Sequence, residues 1–318
     1  MAGFFGLPID PRELMDQIGA LRAVDEFDLK LELLVDKTIS NSLKESARAA
    51  FRSDNAQLHI DITAYGDSLD GELVIPEMAD TADLTVLVAG ASAHTAALML
   101  IAALRKRKVV IITDDVAAMT AVWPSAVIEI DSQNLIAVES SLLAKRGYGV
   151  LFQNLGRWIL DELPDQQLAW ASCLDFVRDA LMANMINSTS LINGAISLFP
   201  LIPSADMPLL LANQMQMVLR MAAVYGYKAD SRLYAELAAV MLFGFVCRSV
   251  ARRLDEYLPA VGWAVKTVVG YSGSVALGFM AKAYYGRVRP RLEKPADSSA
   301  AVDNAQGDET ALAIARVG

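Results

Sequence analysis

The sequence has few of the side chains that bind metals or form covalent cross-links. Its 318 residues include two cysteines, Cys173 and Cys247, and two histidines, His59 and His94. Two distant cysteines form neither a disulfide framework nor a CxxC metal motif, and they are typical of a reducing compartment. So few histidines argue against a His-rich metal centre. We therefore expect no metal or other cofactor, and a protein that faces the cytoplasm.

Positive charge is also scarce. The chain has 28 Lys and Arg against 37 Asp and Glu, a net charge of −9. Binding to a nucleic-acid backbone needs clustered cations that release counterions, so we expect no nucleic-acid partner. The opening segment MAGFFGLPIDPREL has no cation before its short apolar run, which Asp10 and Pro11 interrupt, and it predicts no secretory signal.

Apolar residues, in contrast, are abundant. They make up 54% of the chain, charged residues make up 20%, and the mean hydropathy is +0.34. This composition excludes intrinsic disorder and is more apolar than that of most soluble proteins, which raises the question of membrane contact. The length favours two domains.

Changes of pattern divide the chain into four parts. Residues 1–24 are predicted to form a helical arm, 25–150 an α/β domain, 151–286 an apolar helical domain, and 287–318 a basic segment with a disordered tail. In the α/β domain, residues 29–35 and 58–63 alternate as half-buried strands do. Three runs are apolar on both faces, as central parallel strands are: 84–89, 109–112 and 126–130.

These strands alternate with helices, which predicts a doubly wound, Rossmann/GTPase-like sheet followed by an all-α domain of apolar helical hairpins. The sheet lacks a P-loop, because the segment after the first strand is DKTISNS and has no glycine to approach a phosphate. Thr113, Asp114 and Asp115 stand where a GTPase would carry NKxD, and they supply neither the Asn nor the Lys.

Two turns at strand ends are weak ligand candidates. The first contains Gly90, Ser92 and His94, and the second contains Asp114 and Asp115. The favoured interpretation is structural: Gly90 ends a strand, Ser92 caps a helix, and the acidic pair caps another. The alternatives are anion binding at a helix N-terminus and magnesium binding by the carboxylates. No residue is predicted to be catalytic.

The helical part carries two polar or small-residue patterns. Asn213, Gln216 and Arg220 form a polar stripe that is either a solvated helix face or a buried seam between helices. A second stripe has small residues at multiples of four, which favours close helix packing: Gly262, Gly270, Ser274 and Gly278.

An ordered set of motifs between residues 175 and 286 carries a resemblance to a known family. It comprises Asp206, Asn213-Gln214, Met217 to Arg220, Tyr225-Gly226, Pro259, Gly262-Trp263, Tyr271 to Gly273, and Ala276 to Gly278. This set resembles the uncharacterised bacterial family that is found beside or fused to GTPases and is typified by YcjF. The resemblance implies a membrane-associated domain without an assigned reaction, and it names no catalytic residue.

The relation to the membrane is left open by the charge pattern. Residues 258–281 contain one charge, Lys266, and are long enough to span a bilayer. Cations flank the stretch on both sides, which the positive-inside rule disfavours for a single span. Peripheral or re-entrant association with the cytoplasmic face of the membrane is favoured, and a true span or a soluble cytoplasmic protein are the alternatives.

The sequence as a whole favours a non-enzymatic, membrane-associated interaction or scaffold protein. Its α/β domain would bind a protein partner, and its helical domain would anchor the chain or form a homo-oligomer. One alternative is a nucleotide or phosphoanion hydrolase that uses Lys37 and the two turns described above. Another is an oligomeric membrane-remodelling or transport component built on the small-residue stripe.

Overall fold

The computed structural model describes residues 27–66, 81–90, 108–114, 135–137, 147–198, 206–227, 231–257 and 262–288. They fall into two compact units that divide between Asp179 and Ala180. Residues 27–179 are called the sheet unit below, and residues 180–288 the helical unit. The division comes later than the predicted boundary at residue 150, because the next helices pack on the sheet unit's own core.

The sheet unit contains a five-stranded parallel sheet in the order β2-β1-β3-β4-β5. Its strands are β1 (Leu29–Asp36), β2 (Leu58–Tyr65), β3 (Leu84–Val88), β4 (Val109–Thr113) and β5 (Leu135–Ala137). The predicted parallel α/β sheet is confirmed. Strand β5 was not predicted, and four predicted features lie outside the described residues: the arm at 1–24, the strand at 126–130, the helices after Ser92 and Asp115, and the tail.

Strand β1 differs from the prediction of a half-buried strand. All its residues except Lys30 are buried, because β1 lies between β2 and β3. Glu32 is buried as well, and its carboxylate accepts a hydrogen bond of 2.8 Å from the Thr85 hydroxyl on β3. The alternating pattern does describe β2, an edge strand whose His59 and Asp61 are exposed.

The core of the sheet unit joins helices to the sheet through aromatic side chains. Helix α1 (Asn41–Ala50) buries Leu43 and Ala47, as its spacing predicts. Phe51 follows it and meets the ring of Phe152 edge-on with a centroid distance of 6.0 Å, and that of Phe176 at 5.6 Å. Phe152 lies on α2 (Gly149–Glu162), which is followed by a 3₁₀ turn (Pro164–Gln166) and by α3 (Gln167–Cys173).

The helical unit consists of long helices, as predicted. Helix α4 (Asp175–Leu198) begins in the last residues of the sheet unit and continues into the helical unit. It is followed by α5 (Asp206–Val224), α6 (Ser231–Tyr257) and α7 (Gly262–Ala283), and α7 ends in a π-helical turn (Tyr284–Val288). Gly226 closes helix α5. Gly226 has a φ of +76°, its N–H donates to Ala223, and the Tyr227 N–H donates to Ala222, which is a Schellman cap.

Candidate functional site

The carboxyl ends of β1 and β3 meet where the strand order reverses, which is where open α/β sheets bind ligands. Asp36 is fully buried at the end of β1, and its Oδ1 accepts hydrogen bonds of 2.8 Å from the Thr38 N–H and hydroxyl. A Cβ at Gly90 would collide with Thr38 Oγ1 and lie 3.1 Å from the Ile39 nitrogen. Gly90 is therefore required for close contact between two loops of the chain itself.

A second polar group lies at the end of β4. Asp114 Oδ2 accepts hydrogen bonds from the Ser40 hydroxyl and, at 2.8 Å, from the Tyr148 hydroxyl. Ser40 also caps α1, because its Oγ accepts the Leu43 N–H at 3.0 Å. Partial burial and the neighbouring Asp114 carboxylate raise the pKa of Tyr148, against a smaller opposing effect of the Ser40 hydrogen bond. These bonds join the end of β4 to the starts of α1 and α2.

Two of the five weak ligand candidates can therefore be placed, and both make structural contacts. Gly90 packs against Thr38, and Asp114 accepts bonds from two side chains of the chain itself. Ser92, His94 and Asp115 lie outside the described residues. Lys37 is exposed, and its side-chain stem lies beside Gly66. Within the described residues there is no group of three or more His, Cys, Asp or Glu that could hold a metal.

A layer of polar side chains lies inside the helical unit. Asn193 on α4 and Ser274 on α7 are fully buried, and Gln214 on α5 is nearly so. The Ser274 hydroxyl oxygen accepts hydrogen bonds from Asn193 Nδ2 at 2.8 Å and from Gln214 Nε2 at 3.2 Å, and it donates to the Gly270 carbonyl. Asn213 Nδ2 donates to Asn193 Oδ1 at 3.0 Å. This polar layer links α4, α5 and α7.

The sequence prediction missed the α4 side of this layer. Asn193 lies in the uncharged stretch between Asp179 and Asp206, where an amide within an apolar run is the only signal of a buried partner. Two buried oxygens of the helical unit, Ser190 Oγ and Gln214 Oε1, have no hydrogen-bond partner among the described residues. Gln214 Oε1 faces Gly244 on α6, where a Cβ would lie 3.4 Å away.

The small-residue stripe packs helices within the chain. A Cβ at Gly278 would lie 2.6 Å from Ile186 Cγ1, and one at Gly270 would collide with Ser197 Oγ and lie 3.1 Å from the Asn193 carbonyl. Both contacts are with α4. The helix-packing interpretation of Gly270, Ser274 and Gly278 is thus supported, and their small surfaces are already covered by this chain.

The remaining candidates separate into different environments. Arg220 is exposed and Gln216 is half-buried, so the predicted stripe of Asn213, Gln216 and Arg220 does not form one buried seam. Tyr225 stacks on Tyr285 with a centroid distance of 6.4 Å. Asp206 and Gly262 are the first residues of α5 and α7.

Tyr225 belongs to a cluster that we call the tyrosine end of the helical unit. The hydroxyls of Tyr284 and Tyr285 each donate to one carboxylate oxygen of Glu236 at 2.8 Å, and Tyr227 packs on the Tyr285 ring at 5.5 Å. The cluster joins the end of α5, the start of α6 and the end of α7.

Large apolar side chains cover much of the outside of the helical unit. Leu242 is 67% exposed, Val268 63% and Phe279 60%. Other exposed apolar side chains are Leu191, Ile192, Leu209, Tyr234, Phe245, Val246, Val250, Tyr271, Met280 and Val288. In the described part of the chain, one helix, Ala264–Val288, is long and apolar enough to cross a membrane, and 28% of its most apolar window is buried.

Searches against family models, curated proteins and solved structures found no match for this chain. The resemblance to the YcjF-type family therefore stays a prediction. What the chain does has to be argued from the two units themselves.

Proposed function

We propose that this protein is a non-enzymatic, membrane-associated interaction or scaffold protein. The helical unit binds the cytoplasmic face of a membrane, and the sheet unit binds a protein partner. The observation that carries the proposal is the distribution of polarity in the helical unit, where amide and hydroxyl side chains are buried and large apolar side chains are exposed.

Water and lipid favour opposite distributions of side chains. In water, exposed apolar side chains are tolerated singly, but contiguous patches mark interaction sites. In lipid, helices associate through small residues and interhelical hydrogen bonds, and they turn apolar side chains outward. The helical unit has the small contacts at Gly270 and Gly278, the hydrogen-bonded layer around Ser274, and the apolar exterior.

Hydroxyl groups on the apolar surface support the same assignment. Ser272 and Ser249 are exposed among the apolar side chains of α7 and α6. Ser272 donates to the Val268 carbonyl at 2.7 Å, and Ser249 donates to the Phe245 carbonyl at 2.9 Å. Each hydroxyl thus bonds to a carbonyl of its own helix. An exposed hydroxyl in water can bond to water instead, whereas one in hydrocarbon needs a partner within the protein.

The sheet unit supports a partner-binding role more than catalysis. We propose that its strand order belongs to a doubly wound, Rossmann-like sheet whose usual ligand position is filled by the chain. At the reversal of strand order, Thr38 packs against Gly90, and Asp114 accepts bonds from Ser40 and Tyr148. Among the described residues at these strand ends, Thr38, Ser40 and Asp114 are engaged with other groups of the chain.

Flotation of the full chain with vesicles of phosphatidylcholine and phosphatidylglycerol tests the membrane assignment. We expect the chain to float, with release by high salt indicating a peripheral surface and resistance to carbonate indicating insertion. Phe279→Asp and Leu242→Asp place a charge on the apolar exterior and should reduce flotation. Gln153→Asp adds the same charge at an exposed position of α2 and should not.

The proposal would be overturned by a full chain that stays at the bottom of the gradient at every lipid composition. If that chain also forms a defined oligomer that Phe279→Asp dissociates, the apolar exterior is an interface between copies of the chain.

A further inference from the structure

We propose that the helical unit enters the bilayer along its own axis, with the exposed apolar side chains in the hydrocarbon and the tyrosine end at the headgroups. This inference rests on the proposed membrane association and adds its direction and depth. It is carried by the level at which exposed side chains lie on the different helices.

Contacts between helices fix which residues share a level. Helix α4 runs antiparallel to α7, because Ile186 lies beside Gly278 and Ser197 beside Gly270. Helix α6 is also antiparallel to α7, because Glu236 bonds to Tyr284 and Tyr285 while Cys247 lies 3.3 Å from a Cβ placed on Gly273. Helix α5 runs parallel to α7, with Gln214 beside Ser274 and Tyr227 beside Tyr285.

Most of the exposed apolar side chains form a band at one level, and Tyr234 and Val288 lie beyond it, at the tyrosine end. On α7 the band extends from Val268 to Met280, and the α4 residues Leu191 and Ile192 fall within the same limits because they lie between Ile186 and Ser197. Most of the α6 members, Leu242, Phe245 and Val246, lie between Glu236 and Cys247 and so occupy this level too. A bundle lying flat on a membrane would instead expose apolar side chains along the whole length of one side.

Polar side chains mark both limits of the band. Lys266 and Arg253 are exposed at one end, and Arg287 is exposed beside the tyrosine end. At about 1.5 Å per residue, Lys266 and Lys282 are about 24 Å apart along α7, which places the band within a hydrocarbon core of about 30 Å. Tyrosines are enriched at the membrane–water interface, where the ring is apolar and the hydroxyl is hydrated.

The band is not equally apolar on all sides. Asn184 and Asn187 on α4 and Arg220 on α5 are exposed near its tyrosine-end limit. On α6, Arg248 follows Cys247 in the sequence and so shares the level of the band, where a cation is costly in hydrocarbon. The hairpin of α6 and α7 is therefore expected to make most of the lipid contact.

Spin labels on the full chain in vesicles of phosphatidylcholine and phosphatidylglycerol test this placement. Cys247→Ala removes the half-exposed native thiol, and labelling of this background controls for the buried Cys173. Single cysteines then replace Tyr234, Leu242, Val246 and Val250 on α6, and Val268, Ala276 and Ala283 on α7. The ratio of collisions with oxygen to collisions with a water-soluble nickel complex reports depth.

We expect this ratio to be several-fold higher at Leu242, Val246 and Ala276 than at Tyr234 and Ala283, with intermediate ratios at Val250 and Val268, which lie near the limit of the band away from the tyrosine end. Equal ratios at all positions would overturn axial insertion while leaving membrane association intact. Ratios as low as those in water at every position would overturn the membrane association as well.

A charge change gives an independent readout. Arg248→Leu removes the cation at the level of the band and should increase the fraction of chain that resists carbonate extraction. Arg157→Leu removes an exposed cation from α2 and should leave that fraction unchanged. An unchanged or smaller resistant fraction for Arg248→Leu would contradict axial insertion, because a cation outside the hydrocarbon has no insertion penalty to remove.

Discussion

The sheet unit and the helical unit place polar and apolar side chains in opposite ways. In the described part of the sheet unit no large apolar side chain is exposed, and the polar groups gather at the ends of the strands. In the helical unit, Leu242 and Phe279 are exposed, and Asn193 and Ser274 are buried. One chain thus contains a unit that buries its large apolar side chains and a unit that exposes many of them.

The difference between the units explains why the composition alone did not decide whether the chain contacts a membrane. A mean hydropathy of +0.34 averages a conventional α/β unit with an unusually apolar set of helices. Buried apolar side chains stabilise the folded chain, whereas exposed ones are available for contact with other molecules. Substitutions in the first unit should change the free energy of unfolding, whereas many in the second should change membrane binding.

The largest expected effect is on the aromatic core of the sheet unit. Phe51→Ala removes a fully buried ring that contacts Phe152 and Phe176, and it should lower the free energy of unfolding by about 3–5 kcal/mol. Urea unfolding followed by the fluorescence of the chain measures this loss. Phe279→Ala deletes the same ring from an exposed position and should change the free energy by less than about 0.5 kcal/mol without lipid. Equal losses would contradict the contrast between the units.

The next effect concerns the polar layer. Ser274→Ala removes the shared acceptor of Asn193 Nδ2 and Gln214 Nε2, and leaving buried donors unpaired should cost about 1–3 kcal/mol. Ser190→Ala is the matched control, since no partner reaches the buried Ser190 oxygen among the described residues, and its removal should cost nothing or stabilise slightly. Thermal unfolding of the two variants, followed by the circular dichroism of their helices, compares the losses. Similar losses for both variants would show that the hydroxyls act through packing and not through their bonds.

Much of this contrast could be predicted from the sequence. Runs that are apolar on both faces identified β3 and β4 as central strands, because a strand covered on both sides needs no polar face. The end of α5 at Gly226 followed from the freedom of glycine to adopt a positive φ. The small residues at 270, 274 and 278 predicted close packing because their spacing keeps them on one helix face.

Other features depend on contacts that a single sequence does not display. Alternation suggested that β1 is half-exposed, but Glu32 points to Thr85 on a neighbouring strand, and a pairing partner is invisible in the pattern of one strand. Asn193 gave only a weak sign of its role, because its partners, Asn213 and Ser274, are distant in sequence. The band of apolar side chains is likewise visible only after the contacts between helices show which residues lie at the same level.

A smaller effect is expected at the strand ends of the sheet unit. Tyr148→Phe removes the hydrogen bond to Asp114 and should cost about 0.5–1.5 kcal/mol near neutral pH. Because the pKa of Tyr148 is raised in the folded chain, its neutral form favours folding, and this contribution is present below about pH 10 and lost as the pH rises through the higher folded value. Urea unfolding at several alkaline pH values should show a shallower decline for the variant. Identical pH profiles would mean that Tyr148 titrates alike in both states.

The smallest expected effect is that of nucleotides on the sheet unit. The loop after β1 lacks the glycines of a P-loop, Thr38 packs against Gly90, and Asp114 already accepts two hydrogen bonds. We therefore expect GTP or ATP with magnesium to leave the Tm of the chain unchanged. Thermal unfolding with and without millimolar nucleotide measures this, with a P-loop GTPase as the positive control. A ligand that binds the folded state must raise the Tm by mass action, so a clear increase would show that the contacts at the strand ends open to admit a nucleotide. That result would favour the alternative of a nucleotide hydrolase, and Asp114→Ala should then abolish the increase if the Asp114 carboxylate holds the magnesium.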